Sequence, residues 1–180
     1  PNLIFLNLIE QKKKTMKKIY VLILTFTISS LSFGQITDVY ISMFGEGSSN
    51  NKFMEIYNGT DADVDLSQYS ISSCSNGCDI ADQFDYPDNV SFEVGTIIAA
   101  GDVYVIAHGS ADPLIVADQT FNFLSNGDDF MALTLAGATA DSYTIIDALG
   151  DMGGDPGSGW EIAGVTNGTQ NHTLVRKSTV

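Results

Sequence analysis

Positive charge is scarce in this chain, and nearly all of it lies at one end. Eight Lys and Arg residues stand against 22 Asp and Glu. Five of the eight (Lys12, Lys13, Lys14, Lys17, Lys18) precede position 19. From Gln35 onward only Lys52, Arg176 and Lys177 remain, facing 21 acidic side chains because Glu10 alone lies upstream, a balance of −18. Such a segment repels phosphates and anionic membranes, so nucleic acid is not an expected partner of it alone. Cations and basic partners are favoured, although acidity of this kind equally serves plain solubility. Histidine is as scarce. His108 and His172 lack His-Glu-x-x-His spacing, and no Gly-x-Ser-x-Gly or phosphate-cradling Gly-Lys-Ser/Thr run occurs. No catalytic residue is therefore expected. No apolar run approaches the ~20 residues that span a bilayer, which argues against a permanent membrane helix.

The N-terminal stretch reads as an address. Met16-Lys17-Lys18 supplies a positive start, Ile19 to Ile28 is apolar apart from Thr25 and Thr27, and Ser32 and Gly34 stand at −3 and −1 of a cut before Gln35. That order is a cleavable secretory signal over 16–34, placing the product outside the cytoplasm, secreted or at the cell surface. No Cys follows the apolar run, so a lipoprotein anchor is not supported. Residues 1–15 begin with Pro and read as an over-extended reading frame, a long n-region being the alternative.

From Gln35 the hydrophobic period is two, and a 44% hydrophobic, 10% aromatic composition can supply a core. Strands are expected at 36–44, 52–57, 69–73, 96–99, 103–107, 130–135, 144–148 and 173–176. Gly, Asn, Asp and Ser clusters at 45–51, 58–63, 125–128 and 150–159 separate them. No segment after Phe33 sustains helical periodicity. Many short strands with regular turn signals point to an all-β sandwich.

Ordered motifs make this pattern more specific. Glu46-Gly47-Ser48-Ser49-Asn50-Asn51-Lys52-Phe53-Met54-Glu55-Ile56-Tyr57-Asn58 leads into Val64-Asp65-Leu66-Ser67-Gln68-Tyr69-Ser70-Ile71. Ala100-Gly101-Asp102-Val103-Tyr104-Val105-Ile106 and Ser125-Asn126-Gly127-Asp128-Asp129-Phe130-Met131-Ala132-Leu133 follow. Gly159-Trp160-Glu161-Ile162-Ala163-Gly164-Val165 and Asn171-His172-Thr173-Leu174-Val175-Arg176-Lys177 close the run. Together they resemble lamin-tail domains of secreted bacterial proteins across 36–180. The resemblance implies an immunoglobulin-like β-sandwich over 35–180, truncated at its C-terminal end. It implies a non-catalytic binding or structural accessory module, with an extracellular or cell-surface polymer or protein as partner. Two alternatives stay open: the N-terminal module of a larger secreted nuclease or phosphatase, and a calcium-dependent carbohydrate or surface adhesion domain.

Cys74 and Cys78 are the only cysteines, in Cys-Ser-Asn-Gly-Cys. In an exported chain they read best as a small-loop disulfide, ahead of free thiols. Two thiolates without further Cys or His make a poor zinc site. No cofactor is expected, but calcium is the ion the acidic turns suit. Asp147, Asp151 and Asp155 form one candidate set in a Gly-rich stretch; Asp79, Asp82 and Asp85, with Asp88, form another. Solvated turn acids are the commoner reading of both. Asp61-Ala62-Asp63-Val64-Asp65 imitates half an EF-hand loop, then fails at Leu66 and Ser72. Trp160 reads as a core plug at a strand start, with a sugar-stacking platform as the alternative.

Expressed in a Gram-negative host, the chain should leave the cytoplasm with Gln35 at or near its N-terminus. N-terminal sequencing that finds a cytoplasmic product starting at Met16 would disprove the leader.

Overall fold

Lys52–Asn58 alternates buried and half-buried residues without a break, sending Met54 and Ile56 inward and Phe53, Glu55 and Tyr57 outward. This is the period-two pattern of a strand with one face on a core. The computed structural model describes residues 38–177. The leader 16–34 and the frame assignment for 1–15 lie outside them. The strands are β1 Val39–Glu46, β2 Lys52–Asn58, β3 Val64–Asp65, β4 Tyr69–Cys74, β5 Tyr86–Ser91 and β6 Ile97–Ile98. They continue as β7 Val103–Ala107, β8 Gln119–Thr120, β9 Phe130–Leu135, β10 Ile145–Leu149 and β11 His172–Val175, with one 3₁₀ turn at Leu66–Gln68. One sheet runs β11-β1-β2-β7-β8, a second runs β10-β9-β4-β5, and β3 pairs with β6 beside them. All neighbours are antiparallel except β7 and β8. Val39, Phe44, Met54 and Ile106 from the first sheet share one apolar cluster with Ile71, Met131 and Leu133 from the second. The result is an all-β, immunoglobulin-like sandwich.

The recurring motifs turn out to be corner-makers. Asn58, fully buried at the end of β2, donates through Nδ2 to the carbonyls of Ala62 (2.8 Å), Ile98 (2.9 Å) and Ala99 (3.2 Å). Its Oδ1 accepts from the Thr60 amide (3.0 Å) and hydroxyl (2.7 Å). One side chain thus satisfies a whole corner of backbone polar groups that would otherwise be stranded. Asp65 accepts from the Ser67 amide at 2.9 Å, capping the 3₁₀ turn that drives Leu66 into the core. That amide bond holds the Asp65 carboxyl below its ordinary range. Asp63 accepts from the Ala100 amide at 3.3 Å. The half EF-hand is therefore a structural turn.

The strands expected at 103–107 and 130–135 occur with those bounds, and the others with ends that differ by at most three residues. Tyr86–Ser91, read as part of an acidic loop, is instead a strand. Pro87 is tolerated because β5 is an edge strand. A bulge between Ile71 and Ser73 lets Asp88 adopt φ 48°. Asp88 accepts there from the Ser70 hydroxyl and from the amides of Gly137 (2.8 Å) and Ala138 (3.2 Å).

The two sheets are tied by a charge. Arg176, just past β11, donates through Nη2 to both carboxylate oxygens of Asp147 in β10, at 2.8 and 2.6 Å. Its Nε reaches the Ile41 carbonyl at 3.0 Å, and the Ile41 amide donates to Asp147 Oδ2 at 2.8 Å. The guanidinium also lies 5.3 Å from the centre of the Tyr40 ring. Bulges in β1 between Ile41 and Met43, and in β10 between Ile145 and Asp147, open the backbone groups this clip uses.

Arg176→Ala and Asp147→Ala should each cost about 1–3 kcal/mol, between the values for exposed and fully buried pairs. The double variant should cost less than the sum in urea unfolding. Additive losses would show that the clip is not a unit.

Candidate functional site

β4 ends at Cys74, and the chain reverses through Ser75-Asn76-Gly77 to Cys78. Asn76 (φ 55°) and Gly77 (φ 88°) are both left-handed, the geometry an Asn-Gly pair supplies most cheaply. Cys74 and Cys78 are bonded, with Cα atoms 4.8 Å apart, as the exported-chain reading expected. Carboxylates brace this loop. Asp85 accepts from the Asp79 amide at 2.9 Å and the Ser75 amide at 3.2 Å, while Asp129 Oδ1 accepts from the Asn76 amide at 3.0 Å.

The acidic sets read from sequence do not come together as sets. Asp147 is committed to Arg176 and the Ile41 amide. Asp151 and Asp155 each accept from the amide two residues on, Gly153 at 2.9 Å and Gly157 at 2.8 Å. Asp82 lies at φ 58°, its carbonyl accepting from the Tyr143 hydroxyl at 2.9 Å. Asp79 and Asp155 do line one cavity of about 320 Å³ between the disulfide loop and the Gly-rich loop. Among the described residues, no three His, Cys, Asp or Glu side chains converge as a metal ion needs.

His108 ends β7, its Nδ1 accepting from the Ser110 amide at 3.0 Å, and His172 Nδ1 lies 2.6 Å from the Gln170 carbonyl. Trp160 is half-buried against Gly150 and Gly154, where an added Cβ would come within 2.7 and 3.1 Å of its ring. Its Nε1 donates to the Asp129 carbonyl at 3.4 Å and its backbone amide to Thr169 Oγ1 at 2.7 Å. Trp160 stands at no strand start and in neither apolar cluster; these glycines make room for a half-buried indole that locks the loop down.

On the other side of the disulfide lies a groove of about 330 Å³, lined chiefly by Ser73, Tyr86, Asn89, Phe123, Asp129 and Met131. Ser73 lies at the end of β4, where Ile71 two residues earlier belongs to the core; its hydroxyl accepts from Asn89 Nδ2 at 3.1 Å. Tyr86 is 51% exposed and Phe123 79% exposed, so two aromatic surfaces flank a polar floor. Sequence reasoning missed both. Phe121 and Phe123, two apart, would share a face in a strand; in the turn after β8, Phe121 packs on the core and Phe123 turns out, so spacing did not mark the exposed ring.

Acid dominates the electrostatics of this end. Asp128 Oδ1 is buried without a hydrogen-bond partner. Burial first, then Asp129 and Asp155, raise its carboxyl above the ordinary value, partly offset by Lys52. That lysine is itself engaged, its ammonium on the Asn126 side-chain carbonyl and 4.0 Å from Glu46.

Fold and site together describe a disulfide-stapled, immunoglobulin-like β-sandwich module. Residues 34–147 match the Lamin Tail Domain family, and the chain belongs to it. No curated protein and no solved structure matches the chain significantly. The family match stops at Asp147. The motif resemblance had extended to the closing segment, whose strand His172–Val175 nonetheless completes the first sheet.

Because the Asp128 carboxyl is raised, its protonated form belongs to the folded state; stability falls as pH rises from 3.8 through the folded value. Asp128→Asn should therefore raise Tm at pH 7, and the gain should vanish below pH 3.8, where both states are protonated. A lower Tm at pH 7 in a calorimetric scan would refute the assignment.

Proposed function

We propose that this chain is a non-catalytic binding or structural accessory module of a secreted or cell-surface bacterial protein. The observation that carries the reading is how its cations are used. Arg176 and Lys52 are both engaged internally, so the charge offered to a partner is overwhelmingly acidic. The groove beside the disulfide offers aromatic faces, a hydroxyl, an amide and a carboxylate, which is recognition chemistry. A disulfide in a five-residue loop agrees with an oxidising compartment. Family membership supports the modular part of the reading.

A hydrolase acting on phosphodiesters would need a metal clamp or a placed general base, and a surface that holds a polyanion. The chain should leave plasmid DNA and a phosphodiester reporter intact in magnesium, manganese or calcium. Metal-dependent cleavage that disappears in an Asp151→Ala/Asp155→Ala variant would overturn the reading.

A further inference from the structure

The groove and the acidity around it point to one class of ligand. We infer that the cleft between Tyr86 and Phe123 docks an arginine- or lysine-bearing segment of a basic protein partner. The cationic head lies against Asp129, and its aliphatic stem lies along the two rings. This deepens the binding-module reading above and rests on it.

Three features combine here. First, the aromatics are held open by the fold. Tyr86 begins an edge strand and Phe123 stands between β8 and β9, its ring edge-on to Phe121 with centroids 5.8 Å apart. Phe121 packs against the core and so anchors its neighbour, while Phe123 stays 79% exposed. Exposed rings attract a cation over their faces and cover its methylene stem. Second, Asp129 uses Oδ1 on the Asn76 amide, and its Oδ2 takes no hydrogen bond among the described residues. A guanidinium or ammonium entering the cleft meets this carboxylate among its lining groups, held in place by the Asn76 amide. Third, the charge at the groove wall is acidic. Asp85 braces the Ser75 amide there, and Lys52, a nearby cation, is held by Asn126 and Glu46. Carbohydrate would also stack on Tyr86 and Phe123, but it would make no use of this charge.

The test is fluorescence anisotropy of the full chain with a labelled peptide of alternating Gly and Arg. A Gly-Gln peptide of equal length and a neutral hexasaccharide of β-linked glucose serve as comparison ligands. Phe123→Ala, Tyr86→Leu and Asp129→Asn should each weaken Gly-Arg binding by about tenfold. Tyr86→Leu keeps an apolar strand residue while removing the ring, and Asp129→Asn keeps the acceptor for Asn76. Glu93→Gln removes the same charge beyond the far end of β5 and should change binding by less than about twofold, because screening confines a charge's reach to ~8 Å at physiological salt. Unchanged Tm values confirm folding. Equal losses in all four variants would reduce the effect to the bulk field and overturn the site. Failure of the Gly-Arg peptide to bind would overturn it too, as would binding of the hexasaccharide alone with dependence on both rings. Those results leave the module reading standing, whereas phosphodiester cleavage removes that reading itself.

Discussion

The carboxylate of Asp147 is where the two sheets become one structure. It accepts from Arg176 at the end of β11 and from the Ile41 amide in β1, so three strands from two sheets meet on two oxygens. The apolar cluster between the sheets is non-directional and would tolerate sliding. The Arg176 guanidinium is not, because one nitrogen spans both Asp147 oxygens while Nε holds the Ile41 carbonyl, and the planar group fixes those two directions together. The bulges in β1 and β10 make the contact compatible with continuous pairing on either side of it. Asp147 has 15% of its side chain exposed and Arg176 37%, so water attends the pair without separating it.

Scarcity of positive charge leaves Lys52 and Arg176 each with a defined duty. Lys52 lies at the start of β2 with its buried ammonium between Asn126 and Glu46, and Glu46 in turn accepts from the Asn171 amide. The closing segment is thus joined to the first hairpin through one acid, just as it is joined to β10 through Asp147. The acids of the turns are similarly employed. Asp65, Asp85, Asp88, Asp151 and Asp155 each accept backbone amides, doing with a carboxylate what secondary structure does elsewhere.

Period-two alternation made most strands legible, since it reports directly on which face is buried. β2 was readable for that reason, whereas β9 is buried at all but its last residue and its alternation marked no exposed face. β5 was not: Pro87 and Asp88 are turn residues by composition, and only the edge position and bulge make them strand residues. The disulfide was legible because Cys-x-x-x-Cys around Asn-Gly admits few geometries. The contacts of the acidic sets were not legible, because sequence spacing cannot show whether a carboxylate faces a neighbour's amide or a shared centre. The groove stayed hidden for a related reason. Ser73, Tyr86, Phe123 and Asp129 come from separate segments, and only the pairing of β4 with β5 and β9 collects them.

The partner of β1 on its outer side is β11, the last strand of the described chain. Gly127 prepares its arrival: an added Cβ there would come within 3.0 Å of Gln170, and its carbonyl accepts the Thr169 hydroxyl. On the ribosome, therefore, the first of the described strands waits for the last of them. Until residues 172–175 emerge, one edge of β1 offers unpaired amides and carbonyls to any passing strand. The closing ladder spans almost the whole domain, so it carries the entropic penalty of a long-range contact and completes late. A chain cut short before His172 would lose the Arg176 clip along with β11 and present an open, adhesive edge.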